Sequence, residues 1–167
     1  KDKDAAVIYG EYTNLPGVSD SELSFRKAYL REKTDKSAAA KIYEANTKRY
    51  PKDYRNFYRL GLILSEDKES LSQAASMLQS ASKLVDTIPL LWERLGQVSG
   101  KLNRETTELA AYKKLLTLQP QHLEANRRVG AILLGKGQVS QAISNLEMVL
   151  TSSPKDVETM LLLADGY

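Results

Sequence analysis

Three arginines recur at nearly constant spacing: Arg59, Arg94 and Arg128, separated by 35 and 34 residues. Arg55 and Arg127 stand close to the first and last of them. A guanidinium is always charged, and its planar fork of donors matches a carboxylate. Placed regularly, such groups point to recognition of acidic groups rather than to bond-making chemistry. Residues that do acid–base or metal chemistry are scarce. His122 is the only histidine and there is no cysteine, which excludes disulfides, thiolate zinc sites and cysteine nucleophiles. His122 reads as an exposed turn residue rather than a general acid or base. Gly135-Lys136-Gly137 lacks the strand-loop-helix context and the Lys-Ser/Thr ending of a phosphate loop, and reads as a hairpin turn. Glu66-Asp67-Glu69 lacks the spacing of a calcium loop and reads as a solvated stretch. No catalytic residue, metal site or cofactor is expected, and the chain reads as non-enzymatic.

The elements that position the arginines repeat with the same period. Tyr50-Pro51-Lys52-Asp53-Tyr54-Arg55-Asn56-Phe57-Tyr58-Arg59-Leu60-Gly61 reads as a helix end, a proline turn and a new helix. The shape returns at Trp92-Glu93-Arg94-Leu95-Gly96, from Pro120 to Gly130, and from Pro154 to Ala164, so a small residue falls at 61, 96, 130 and 164. A period near 34 is the mark of stacked helical hairpins. Phe57, Leu60, Gly61 and Leu64 lie at i, i+3, i+4 and i+7, one face of a helix. Leu71, Ala74, Leu78, Ala81 and Val85 form the apolar stripe of the next.

Counting by this period gives units at 20–53, 54–88, 89–122 and 123–156, with a partial unit at 157–167. In the first unit Lys27 falls where later copies have Gly or Ala. Residues 1–19 read as an N-terminal segment, the end of an earlier repeat: Ala5 to Tyr9 and Tyr12 form a short helix that Asn14-Leu15-Pro16-Gly17 stops. Ser19 and Glu22 have capping-box spacing at the start of the next helix. The last helix begins at Val157 without its partner, so the natural array is expected to continue, and an opening on Lys1 is expected of a processed or excised piece.

The chain has 167 residues with a formal net charge of +3. That excess is milder and less clustered than dedicated nucleic-acid binders carry. No apolar run reaches the ~20 residues that span a bilayer. The compartment stays open between cytoplasm and bacterial periplasm.

These units resemble the tetratricopeptide repeat (TPR). Trp92-Glu93-Arg94-Leu95-Gly96 fits the opening of its pattern, Tyr112 and Pro120 fit its close, and Ala74 and Ala142 fill its internal alanine position. Three departures stand out: Asn126 at the large-residue position, Glu108 in place of the alanine, and Asp86 in place of the proline. The resemblance covers about residues 20–167. It implies an all-α fold, a right-handed α-solenoid of stacked antiparallel hairpins with a concave groove lined by the first helix of each unit. Gly or Ala at the eighth position lets the two helices of a hairpin approach closely.

In this family the groove binds a peptide or protein segment. The family's positions map the partner-binding face onto Arg55, Tyr58, Arg59 and Leu62 in the second unit. They map it onto Leu90, Arg94 and Gln97 in the third, and onto Arg127 and Arg128 in the fourth. The carboxylate clamp of TPR co-chaperones would fall on Tyr58, Leu62, Arg94, Glu124 and Arg128, of which only Arg128 matches, so that mechanism is not expected. The arginine ladder points to an acidic or carboxylate-bearing partner. The competing reading is that these arginines solubilise an exposed face or pair with Glu93 and Glu124.

The expected function is a scaffold or adaptor that binds a partner segment and helps assemble a larger complex. A bacterial envelope or secretion complex is one setting for such arrays. RNA binding is the alternative from another class, disfavoured by Glu93 and Gln97 on the third unit's face. A recruiting domain of a larger enzyme is a third reading. Leu161 and Leu162 at the C-terminal end are candidates for self-association.

Overall fold

A computed structural model describes residues 17–166. The short helix expected from Ala5 to Tyr9, most of the turn that stops it, and Tyr167 lie outside the described residues. Among the described residues every regular element is a helix. The chain divides into two units, one ending at Val85 and the other beginning at Asp86. The first holds α1 (Asp20–Glu32), α2 (Lys36–Arg49), α3 (Tyr54–Leu64) and α4 (Leu71–Ser82). The second holds α5 (Pro89–Lys101), α6 (Glu105–Leu118), α7 (Leu123–Gly135), α8 (Val139–Ser152) and α9 (Val157–Gly166). Within each unit every helix packs on the next, and α9 also touches α7. Val85, read from sequence as part of the α4 stripe, lies beyond the end of that helix.

The helix starts follow from local chemistry. A side chain at the N-cap satisfies a backbone N–H that the first helical turn leaves without a partner. Asp35 accepts from Ala38 N at 2.9 Å, Asp53 from Arg55 N at 3.2 Å, and Asp156 from Thr159 N at 2.8 Å. Pro89 opens α5 at its first turn, where its missing N–H costs nothing. Ser19 accepts from Glu22 N at 3.2 Å, half of the expected capping box, while the Glu22 carboxylate turns to Arg26 and Arg55. The α7–α8 turn places Gly137 at φ 70°, left-handed backbone that suits glycine. Beside it Lys136 is paired with Glu105 at 2.6 Å, so Gly135-Lys136-Gly137 is a hairpin turn.

The small residues do what the period requires. A Cβ on Gly61 would lie 2.8 Å from Leu78, one on Gly96 2.7 Å from the Tyr112 ring, and one on Gly130 2.6 Å from Leu146. Leu78, Tyr112 and Leu146 are each the eighth residue of the following helix. In the first hairpin the count of 34 is off by one. Lys27 is exposed, and Ala28, fully buried, packs with Ala39, Tyr43 and Leu60. The second unit's core joins Tyr112, Leu115, Ala125, Val129, Leu133 and Ala142, with Trp92 and Leu109 against it.

Two departures from the repeat pattern explain each other. Trp92 Nε1 donates to the carbonyl of Asp86 at 2.9 Å, and Asn126 Nδ2 donates to the carbonyl of Pro120 at 2.8 Å. Donor and acceptor are six residues apart in both cases, so Asn126 ties the inter-hairpin turn as Trp92 does. Asp86, standing where Pro120 stands, adds an ion pair with Lys114 at 2.7 Å.

Candidate functional site

In the first unit the candidate residues sit on α3, and Arg55 and Arg59 interlock with an aromatic stripe on α1. Phe25 and Tyr29 are one helical turn apart and stack at 6.1 Å. The Arg55 guanidinium lies 4.4 Å from the Phe25 ring centre, and Arg59 lies 5.1 Å from that of Tyr29, both within cation–π range. Arg55 binds Asp53 through two contacts of 2.8 Å and also binds Glu22. Hydrogen bonding to Asp53, then Glu22, outweighs desolvation and raises the Arg55 pKa. Burial pushes Asp53 up, but Arg55 and Ser21 overcome it and hold its carboxyl below the usual range. Arg59 binds both oxygens of Glu32, to which the Tyr43 hydroxyl also donates at 3.0 Å. Burial, then Glu32, raises the Tyr43 pKa. Tyr58 and Leu62 are half-buried on the same helix.

In the second unit Arg127 binds Glu124 and Asp156, each at 2.6 Å. Arg128 binds Glu108 at 2.7 Å through Nε and 2.6 Å through a terminal nitrogen. Glu108 is deeply buried, its side chain 5% exposed against 41% for Arg128. A Cβ on Gly100 would come within 2.9 Å of the Glu108 carboxylate, so the missing side chain there makes room for the carboxylate that replaces alanine. Burial, then the charges of Glu124 and Glu108, raises the Tyr112 pKa against the opposing effect of Arg128.

Arg94 stands apart. It is half-buried, its Nε is shielded from water without a hydrogen-bond partner, and no ion pair is found for it among the described residues. Its neighbour Glu93 accepts from Gln97 at 3.1 Å and lies 3.9 Å from His122 Nε2. His122 is half-buried rather than an exposed turn residue, and its Nδ1 accepts from Ala125 N at 3.2 Å, capping α7. Glu93–His122 and Arg127–Asp156 occupy equivalent places, each pair 29 residues apart, with the acidic and basic residues exchanged. Leu90, one turn before Arg94, is 44% exposed.

No family model matches the chain. A peroxisomal targeting signal receptor of Candida albicans is 30% identical over 109 residues, 65% of this chain and 18% of that protein. That of Saccharomyces cerevisiae is 29% identical over 92 residues, 55% of this chain and 15% of that protein. The chain thus spans under a fifth of these relatives. Among solved structures, YrrB, described as a TPR protein with an unusual peptide-binding site, superposes with a TM-score of 0.77 at 20% identity. The match covers 89% of this chain and 76% of that one. MamA superposes with a TM-score of 0.70 at 17% identity, covering 88% and 80%. The described residues have the tetratricopeptide-repeat fold.

The ion pairs of these repeats match the pairing reading of the arginines only in part. Arg127 does bind Glu124, but Glu93 goes to Gln97 and His122, and Arg59 and Arg128 bind Glu32 and Glu108 instead. Phe25, Tyr29, Glu32 and Glu108 were not singled out as functional from sequence. The i, i+4 spacing of Phe25 and Tyr29, and the carboxylate at an alanine position, were the available signals.

Proposed function

We propose that the chain is a non-enzymatic interaction module, an adaptor whose first-helix faces take up an acidic segment of a partner protein. The observation that carries this is Arg94. Four arginines on α3 and α7 are held by carboxylates of the chain itself, whereas Arg94 on α5 leaves a buried donor unsatisfied. An unsatisfied buried donor costs about 1–3 kcal/mol, and among the described residues no carboxylate pairs with this guanidinium. The similar proteins support a recognition role, one described by its peptide-binding site and the others as receptors for a targeting signal. Selecting peptides from a random displayed library on the whole chain tests the reading. Selected sequences should be rich in Asp and Glu and bind more weakly as salt rises. Recovery of basic or uncharged sequences would refute it.

A second reading concerns α9, where Val157 (65%), Met160 (42%) and Leu161 (63%) are exposed along one face. A second copy of the chain is the proposed occupant of this apolar stripe. Sedimentation should show a concentration-dependent dimer that Leu161→Glu abolishes; a monomer at all concentrations refutes it.

A further inference from the structure

We infer that His122 is an acid-sensitive switch at the start of α7: its neutral ring caps the helix, and proton uptake releases that cap and commits the ring to Glu93.

The two ring nitrogens face different elements. Nδ1 accepts from Ala125 N at 3.2 Å, and Nε2 lies 3.9 Å from Glu93 Oε2 on α5. An acceptor at Nδ1 places the neutral ring's one proton on Nε2, the nitrogen turned to the carboxylate. A second proton can go only to Nδ1. There it opposes the Ala125 N–H, donor against donor, so the protonated ring no longer caps α7. The positive end of the helix repels the new charge as well. Glu93 attracts it. Glu93 Oε1 is taken by Gln97, which leaves Oε2 for the imidazolium. One protonation therefore breaks one contact and strengthens another.

The other charges near the ring are already committed or carry no counterpart to the proton. On α5 the residue after Glu93 is Arg94, a cation. From α6 come Tyr112, whose hydroxyl burial keeps neutral, and Glu108, bound to Arg128 of α7. On α7 itself Glu124 is bound to Arg127. The turn between α6 and α7 contributes no charge: Gln119, Pro120 and Gln121 line, with His122, an open cavity of about 460 Å³. That space admits water and lets the ring turn from Ala125 toward Glu93.

The comparable caps elsewhere are carboxylates. Asp53 and Asp156 stand at the corresponding place before α3 and α9, and Asp35 caps α2. The cap bonds themselves, from Ala38 N and Thr159 N, hold the Asp35 and Asp156 carboxyls below the usual carboxylate range. Histidine is the side chain that ordinarily changes charge between about pH 5 and 8. Mild acid therefore releases the cap of α7 and leaves these others in place.

The test is NMR on the whole ¹⁵N-labelled chain between about pH 8 and pH 5, where every histidine ring signal belongs to His122, the only one. At the high end the ring should carry its proton on Nε2. As it titrates, the Ala125 amide resonance should move with it. Exchange protection of Ala125, corrected for the intrinsic pH dependence, should fall about 5-fold, the loss of one cap. The Ala38 and Thr159 amides should not change. His122→Asp supplies the residue that the other turns carry, and should keep Ala125 protected across the whole range. Glu93→Gln should leave the step in place and move it to lower pH. A proton on Nδ1 at the high end, a ring that stays neutral to pH 5, or an Ala125 amide that ignores the titration would each overturn the inference. So would a step of the same size in His122→Asp.

Discussion

Removing the two partners of the Arg128–Glu108 pair should have unequal consequences. Glu108 is buried at 5% exposure while Arg128 is 41% exposed. Arg128→Ala strands a carboxylate in the interior. Breaking a buried pair in this way typically costs about 3–5 kcal/mol, and water entering the vacated, part-exposed space reduces that to about 2 kcal/mol. Glu108→Ala restores the residue type the repeat pattern has at this position and leaves an arginine that water can solvate, at a cost within about 1 kcal/mol. The double variant should resemble Glu108→Ala, giving a coupling of about 2 kcal/mol. Trp92, the only tryptophan, packs against the second unit's core, so its fluorescence during urea unfolding reports that unit. Equal and additive losses for the two single variants would refute the assignment of Glu108 as a buried charge held by Arg128.

Other outcomes follow from the same geometry. Gly96→Ala forces a Cβ to within 2.7 Å of the Tyr112 ring and should cost about 1–3 kcal/mol, whereas Gly135→Ala, with open space around it, should have little effect in the same urea series. Acid should weaken the first unit through Asp53 and Glu22, whose carboxyls are held below their ordinary values of 3.8 and 4.5. Their contribution is present above those values and is lost as pH falls through the depressed folded-state values. Asp53→Asn should therefore lower stability at pH 7 and flatten the acid decline, read by amide exchange in α1 to α3; an unchanged pH profile would contradict it.

The fold was legible because close helix packing leaves a mark at fixed positions. Gly61, Gly96 and Gly130 each face a bulky residue of the next helix, and no larger side chain fits there. In the first hairpin the count placed Lys27 at the small-residue position, whereas the buried small residue, Ala28, falls one place later. Trp92 and Asn126 looked unlike in sequence, yet both donate to the carbonyl six residues before, which residue type alone does not reveal. The arginines were legible as a periodic feature, but their partners were not. Glu32 and Glu108 lie 27 and 20 residues before the arginines they hold, at different places in the repeat, so the period did not point to them. Pairing at such distances depends on which side chains the fold brings together.

The most direct test of the interaction account is a map of amide shifts on the whole labelled chain as an acidic peptide from the displayed library is added. Shifts are expected to concentrate on α5 between Leu90 and Lys101 and to be lost in Arg94→Ala. Shifts confined to α4, α6 or α8, or an unchanged response in Arg94→Ala, would contradict it.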